Sequence, residues 1–308
     1  MVTCIGEILV DVFIDGDNKT IFPGGAPFNV ACNIANFDNK EVYFYGVVGK
    51  DDNGQLLLDF ANKKINHLYI DILNKYETTQ AIVSLKDGER SFKFIRGADY
   101  QLNVSNVKQM DFNKINVVHL GSLMLCYQSG RDFIDDVIKY VRANSGALIS
   151  FDVNYRDDIF NNPLEAKKAF LNVIKQADVI KFTEEELELL SGQKGIKRGL
   201  ELLLNDKQIA VVTLGKKGSL FYNKDKYIKM KSYPLKPIDT TGAGDAFYSY
   251  FLYKLDKGLD INNVESIKEA LFKANIVGGL TTQKKGAIDS APNLEELETF
   301  IKEHSLSF

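Results

Sequence analysis

Short β-branched runs alternate with amphipathic stretches along the whole chain, and no other feature limits its fold so sharply. The runs Val2 to Val12, Glu41 to Val48, Val117 to Leu120, Ala147 to Val153, Asp178 to Phe182 and Ile209 to Leu214 are nearly continuous in apolar residues, as parallel strands buried on both faces are. Between them Asn53 to Lys64, Arg131 to Val141, Leu164 to Gln176, Gly199 to Leu204 and Asp245 to Leu255 carry apolar residues at helical spacing. This order implies βαβ units and an α/β fold with a doubly wound, mainly parallel sheet covered by helices. One segment breaks the alternation. From Thr78 to Arg96 two β-type runs flank Asp87-Gly88, a type I′ hairpin signal, and with Phe13 to Phe22 they predict a small β-appendage. The tail Asn293 to Lys302 reads as a closing helix, and no Pro-rich linker or repeat divides the chain.

Composition excludes several classes of function. With 45% hydrophobic and 26% charged residues in 308, the chain can bury a large core. A net charge of -3 supplies no whole-protein basic field for nucleic acid. Cys4, Cys32 and Cys126 are odd in number and far apart, so neither a disulfide framework nor a CxxC motif can be written, and a reducing, cytoplasmic setting is expected. His67, His119 and His304 are isolated and read as structural or solvated. The start, MVTCIGEILVDVF, lacks a basic n-region and has Glu7 and Asp11 inside its apolar stretch, so no secretory signal is expected. No apolar run approaches the ~18 residues that would span a bilayer.

The most informative stretch is Asp239-Thr-Thr-Gly-Ala-Gly-Asp-Ala-Phe247. Ala246, Phe247, Tyr250, Phe251 and Leu255 make one helical face and Gly258 a stop, so a helix starts near Gly242. Gly242, Ala243 and Gly244 let a ligand approach the backbone, and the free amides of a first helical turn suit an oxyanion or phosphate. Asp245 then falls beside the anion, where a carboxylate can take the proton of an attacking hydroxyl. The alternative is a dipole-complementing residue in a glycine turn. Nearer the start, Asp11 closes the first strand and Asn29 follows Gly24 and Gly25, a set of short, rigid groups suited to a polyhydroxylated ligand.

DTTGAGDAF resembles the second signature of the ribokinase-like PfkB family of carbohydrate kinases, and Pro23-Gly-Gly-Ala-Pro-Phe-Asn-Val-Ala31 with Gly46-Val-Val-Gly-Lys-Asp-Asp-Asn-Gly54 resembles the first. GEILVD near the start, Asp152-Val-Asn-Tyr-Arg156, Lys181 to Leu187, Thr213 to Gly218, Asn275 and Gly286-Ala287 before Pro292 match in the family's order over nearly the full length. The resemblance implies one ribokinase-like catalytic domain over 1–308, a three-layer α/β/α body with a β-sheet lid from about 12–22 and 77–100, transferring the γ-phosphoryl group of ATP to a sugar hydroxyl. It assigns Asp245 as base beside the Gly242, Ala243 and Gly244 cradle, and Asp11, Gly24, Gly25, Asn29, Asp152, Asn154 and Arg156 to the sugar side. Lys181, Thr183, Glu186, Thr213, Gly215, Gly218 and Asn275 fall to the nucleotide, with Glu186 acting on Mg²⁺ through water. Asp239, Thr241 and the loop from Gly286 to Ser290 match the place where many family members hold a monovalent cation, so K⁺ is a further expected cofactor. Position 183 departs from the pattern, being Thr where the family usually has Asn.

The hairpin's second strand runs into Arg96-Gly-Ala-Asp99, so Arg96 and Asp99 are expected to reach over the sugar. That run and PGGAPFN resemble the fructokinases within the family, which makes fructose the expected acceptor. A 2-keto-3-deoxygluconate kinase is the alternative substrate reading, since such enzymes place an Arg near the lid to pair with a carboxylate. A sugar- or nucleotide-binding regulator of the same fold is the alternative class, against which the Asp245 carboxylate counts. A nicotinamide dehydrogenase is disfavoured for want of GxGxxG after the first strand. The expected partners are sugar and ATP, without nucleic acid or membrane, and with a homodimer formed through the lid.

Overall fold

The computed structural model describes residues 1–308 except 16–17, 87–88 and 161. β1 (Val2–Ile5), β2 (Leu9–Asp15) and β3 (Asn18–Gly24) lead into α1 (Ala26–Phe37), β4 (Val42–Gly49), α2 (Asp52–Lys64) and β5 (His67–Leu73). β6 (Gln80–Lys86), β7 (Glu89–Ile95), the single turn α3 (Val104–Val107), β8 (Val117–Leu120), α4 (Gln128–Asn144), β9 (Leu148–Asp152) and α5 (Pro163–Gln176) follow. Next come β10 (Val179–Thr183), α6 (Glu184–Ser191), α7 (Ile196–Leu203), β11 (Ile209–Thr213), β12 (Ser219–Asn223) and β13 (Lys226–Met230), and then α8 (Ala243–Asp256), α9 (Val264–Thr281) and α10 (Leu294–Glu303).

Among the described residues the main sheet has nine strands in the order β13-β12-β11-β10-β9-β8-β1-β4-β5. All of its pairings are parallel except those of the edge hairpin, β11 with β12 and β12 with β13. The chain winds outward from β1 in both directions, so the order reverses beside β1 and leaves a crevice at the carboxyl ends of β1 and β8, where open α/β sheets bind ligands. Phe28 and Ile34 of α1, Leu57 of α2, Phe247 and Phe251 of α8 and Leu271 of α9 pack on one face of the sheet. Phe133 and Ile134 of α4, Phe170 of α5, Leu187 of α6 and Leu200 of α7 pack on the other. Burial on both faces explains why strands such as VVHL and VIKFT are apolar throughout. No helix among the described residues is long and apolar enough to cross a membrane.

The lid is a second sheet of four strands, β3-β2-β6-β7. Here the expectation of one strand from Val2 to Val12 fails. The run breaks at Gly6, whose φ of 152° turns the chain out of the main sheet, and a Cβ there would lie 2.7 Å from Pro27 Cγ. Asp11 therefore does not close a main-sheet strand. It sits inside the lid, opposite Phe22 of β3 and Ala81 of β6, and the lid begins at Leu9 and reaches Gly24. Apolar residues flank Gly6-Glu7 on both sides of the bend, so periodicity did not reveal it. β6 and β7 pair antiparallel as expected, while the Asp87-Gly88 turn lies outside the described residues.

Candidate active site

Two loops meet over the crevice. Ala26 opens α1 after Gly25, whose φ of 109° makes the entry turn, with Pro27 and Asn29 in the first helical turn. α8 opens after Gly242, at φ 74°, and carries Asp245 in its first turn. Packing of α1 on α8 brings the two side chains together, with Asn29 Nδ2 donating to Asp245 Oδ2 at 2.8 Å. Asp11 approaches from the lid. A Cβ on Gly24 would lie 2.3 Å from Asp11 Oδ2, so the carboxylate occupies the space that glycine leaves. Desolvation, followed by the negative charge of Asp152, pushes the Asp245 carboxyl up to about 6, against the Lys181 ammonium, the Asn29 amide and Arg156. Asp11 is pushed up to about 7, first by burial and then by the charge of Asp245, while Arg156 opposes the rise. Arg156 is exposed and has no ion pair among the described residues, which leaves its charge for a ligand.

The cradle at the start of α8 is asymmetric. A Cβ on Gly242 would fall 2.3 Å from Ala287 Cβ, whereas one on Gly244 would meet only Lys181 Cε and Nζ, both at 3.6 Å. The backbone at Gly244 is thus open toward a buried cation, and together with the helix's free amides it fits an anion. Lys181 Nζ donates to both carboxylate oxygens of Asp152 at 2.8 Å. Burial works against the ammonium, but Asp152, Glu186 and Asp245 outweigh it and raise its pKa. Thr183 and Glu186 form a reciprocal cap on α6: Glu186 N donates to Thr183 Oγ1 at 3.1 Å, and Thr183 N to Glu186 Oε2 at 2.7 Å. Glu186 Oε1 also accepts from Tyr155 N at 2.8 Å. No group of three or more His, Cys, Asp or Glu side chains arranged to hold a metal occurs among the described residues. With both oxygens engaged by backbone amides, Glu186 would meet a Mg²⁺ ion through water, as suits an ion that dehydrates reluctantly.

Thr213 ends β11, and Gly215 and Gly218 turn the chain at φ 55° and 106°; a Cβ on Gly218 would strike Met230 O at 2.0 Å. Asn275 of α9 donates from Nδ2 to the carbonyls of Met230 and Lys231 at 3.4 Å, so it ties α9 to the segment leaving β13. Asp239 Oδ1 accepts from Thr241 N and Oγ1 at 3.0 and 2.7 Å, and Oδ2 accepts from Gly286 N at 3.2 Å, which joins the two loops expected to hold a monovalent cation. Asn154, between Asp152 and Arg156, adopts a positive φ of 36°.

At the root of the lid Arg96 and Asp99 pair with each other, and Thr79 Oγ1 also donates to Asp99. Arg96 Nη1 points to Cys126 Sγ at 2.8 Å, and its guanidinium lies over the rings of Tyr100 and Tyr127 at 5.9 and 5.5 Å. Asp99 is buried and turned toward Arg96 and Thr79, so it acts as the holder of Arg96. Asp51 fastens the same root: it caps α2 through Gly54 N at 2.7 Å and accepts from Thr78 N and Oγ1 at 2.6 and 2.7 Å. A Cβ on Gly49 would lie 2.4 Å from Tyr76 O, and one on Gly54 2.1 Å from Gly49 O, so the glycines of GVVGKDDNG serve close packing under the lid. Glu7, to which the sequence reading gave no role although it lies in the GEILVD stretch, is buried beside this root.

A sheet-end crevice with Asp11 and Asn29 on one side, the Asp245 carboxylate at a helix start in the middle and open helix-start amides on the other is the arrangement of a small-molecule phosphotransferase of the three-layer α/β/α class. Residues 1–294 match the pfkB family of carbohydrate kinases, and the chain belongs to that family. It is 34% identical over 307 residues to the fructokinase of Vibrio alginolyticus, covering 96% of this chain and 97% of that one. Its fold matches the crystal structure of fructokinase from Vibrio cholerae O395 in fructose, ADP and calcium ion bound form with a TM-score of 0.88 at 34% identity, over 97% of this chain and 98% of that one. A double mutant of that enzyme, solved in fructose, ADP and potassium ion bound form, matches equally well with a TM-score of 0.88. Fructokinase with bound ATP from Xylella fastidiosa matches with a TM-score of 0.91 at 27% identity, over 99% of both chains.

Proposed function

We propose that the chain is an ATP-dependent fructokinase and that residues 1–308 act as one catalytic unit with a β-sheet lid. The observation that carries this reading is Asp245, held by Asn29 at 2.8 Å between the Asp11 carboxylate and the cradle that opens toward Lys181. In the reaction, Asp245 accepts the proton of a fructose hydroxyl as its oxygen bonds to the γ-phosphorus, and the bond from phosphorus to the bridging oxygen breaks with its electron pair left on ADP. Asp11 and Asn29 orient the sugar, with Gly24 and Gly25 admitting it to the backbone. The amides of Gly242, Ala243 and Gly244, with Arg156 and the Lys181–Asp152 pair behind them, face the transferring group. Thr213, Gly215, Gly218 and Asn275 shape the nucleotide side. Glu186 would meet the waters of a nucleotide-bound Mg²⁺, which would supply neutralisation of phosphate charge, and the Asp239, Thr241 and Gly286-to-Ser290 loops would hold K⁺ as a second cofactor. The fructose, ADP, calcium and potassium of the Vibrio cholerae structures and the ATP of the Xylella fastidiosa structure support this choice of substrates and ions.

Fructose is favoured over a sugar acid because Arg96 already has a carboxylate partner in Asp99 and has no free charge for a second. Free Cys4, Cys32 and Cys126 support a cytoplasmic setting, and the exposed edges β3 and β7 of the lid sheet support a lid-to-lid homodimer. The test is ADP release under MgATP, with and without K⁺, from fructose, ribose, 2-keto-3-deoxygluconate and adenosine. Fructose should lead in kcat/KM by roughly tenfold or more. A preference for another acceptor overturns the substrate, and turnover of none overturns the activity.

A further inference from the structure

Tyr248 lies on α8 three residues beyond Asp245 and is fully buried, yet its hydroxyl bonds to the strands beneath the helix. The oxygen is 2.7 Å from Ser150 Oγ of β9 and 3.4 Å from the Val179 carbonyl that opens β10. On the far side of Ser150 Oγ, at 3.1 Å, is Nδ1 of His119 on β8, whose ring stands edge-on to that of Tyr248 at 5.4 Å. His119, Ser150 and Val179 stand abreast in register across three strands, on a face otherwise packed with Cys4, Phe247 and Phe251. Polar groups buried in such a setting persist where their bonds close. Desolvation, against the charge of Asp152, pushes the His119 pKa down to about 4, so the ring is neutral. With its proton on Nδ1 the bonds run one way: His119 donates to Ser150, Ser150 to Tyr248 and Tyr248 to the Val179 carbonyl. Every donor then has an acceptor, and Nε2, without a partner among the described residues, is a bare lone pair instead of an orphaned N–H.

This chain lies one structural repeat below the reacting groups. Asp152 and Lys181, paired in register, follow Ser150 and Val179 by two residues and so share their face of the sheet. Asp245 precedes Tyr248 by three residues on the helix above, and a Cβ on Gly244 would lie 3.6 Å from Lys181 Nζ. Residues 241–245 are only partly buried and full burial begins at Ala246, so packing alone grips the first turn of α8 weakly. Asn29 holds Asp245 from the side of α1, and the Tyr248 hydroxyl holds the helix down on the sheet.

Resting on the sugar-kinase reading above, we propose that Tyr248 is a positioning residue for phosphoryl transfer, its hydroxyl bonds to Ser150 and Val179 setting the height of α8 so that Asp245 and Gly244 keep their places over Asp152 and Lys181. The attacking hydroxyl must meet Asp245 and the phosphorus at once, and a misplacement of about 1 Å can cost ~100-fold in rate. Binding of sugar and nucleotide draws on many other contacts and depends little on that height.

The test begins with the wild-type enzyme on the sugar panel, where turnover of no sugar refutes the kinase reading itself. On the sugar turned over best, single-turnover rates, KM values and thermal melts are compared for wild type, Tyr248→Phe, Ser150→Ala, the double variant and Tyr250→Phe. Tyr248→Phe keeps the ring and loses only the hydroxyl, so its single-turnover rate should fall roughly 5- to 50-fold while KM for ATP and for the sugar stay within about twofold. Ser150→Ala should show the same split, and the double variant should lose no more than the larger single loss, because the two residues share one bond. Tyr250 is the control: it is buried on the same helix but turned toward Phe37 of α1, so Tyr250→Phe should keep the wild-type rate whatever its melting temperature. A folded Tyr248→Phe enzyme with more than about half the wild-type single-turnover rate overturns the proposal, as does a loss that falls on KM instead of the rate or is matched by Tyr250→Phe. If Tyr248→Phe does not fold, a wild-type rate in Ser150→Ala overturns it.

Discussion

Replacing Asp245 by Asn should remove the base while leaving its scaffold in place. The carboxylate accepts the Asn29 amide at 2.8 Å, and an Asn side chain of the same shape still accepts that bond through its carbonyl. What is lost is the oxygen that takes the proton. A positioned general base contributes ~10² to 10⁴ in rate, so kcat should drop by that factor, about 3 to 5 kcal/mol of barrier, with nucleotide affinity little changed. The carboxyl's pKa of about 6 fixes the pH signature. Below it kcat/KM of the wild type should fall tenfold per pH unit, and this limb should vanish in Asp245→Asn. Stability should move the other way. A carboxyl whose folded pKa lies above its ordinary value favours the folded state only while neutral, so stability is lost as pH rises through about 6. Asn stays neutral, so its melting temperature should exceed that of wild type by roughly 2 °C or more near pH 8 and approach it near pH 4. The assays are coupled ADP release, rapid-quench single turnover to establish that chemistry limits the rate, and paired thermal melts. A variant keeping more than about a tenth of wild-type kcat, with chemistry limiting, refutes the role and leaves Asp245 as a residue that complements the helix dipole.

Arg96→Ala should lower kcat/KM for fructose roughly 10- to 150-fold with the KM for ATP unchanged, and it should also lower the melting temperature because Asp99 is left buried without its cation; normal fructose kinetics would remove Arg96 from the site. The two cradle glycines should separate fold from function. Gly244→Val has only Lys181 at 3.6 Å to meet, so it should melt near wild type yet turn over poorly. Gly242→Ala meets Ala287 at 2.3 Å from a φ of 74° and should destabilise the protein outright. Normal turnover in folded Gly244→Val would contradict the cradle.

The parts legible in the sequence are those where chemistry leaves few residue choices. The DTTGAGD loop stood out because a close backbone approach needs glycine and a base needs a carboxylate, and α8 starts where that reading put it, at Ala243. Strands buried on both faces were equally plain. The edge strands were not: β13 reads Lys-Tyr-Ile-Lys-Met, with lysines along an edge, and β5, half-buried along most of its length, starts with His67. The division of the first run between two sheets was hidden because Gly6 alone marks the bend while both sides stay apolar. The burial of Glu7 was hidden for the related reason that its surroundings come from Gly25, Pro27, Gly121 and the lid root, which no local pattern assembles.

Thr183 separates what a family position demands from what it merely prefers. Asn is usual there, yet the cap on α6 is complete, with the Thr183 hydroxyl accepting the Glu186 amide at 3.1 Å and Glu186 returning the bond at 2.7 Å. Asn and Thr both cap helices through a side-chain oxygen, so exchanging them keeps the geometry that aims the carboxylate. Glu186 then spends one lone pair on Thr183 N and one on Tyr155 N at 2.8 Å, which leaves a lone pair on each oxygen for water. A residue that needs only to present hydrated negative charge tolerates such a change beside it. Asp245 has no comparable substitute of its size, because Asn accepts the Asn29 amide but cannot take up a proton. Gly244 has none either, because any Cβ would project into the space before Lys181 where the phosphate is proposed to lie.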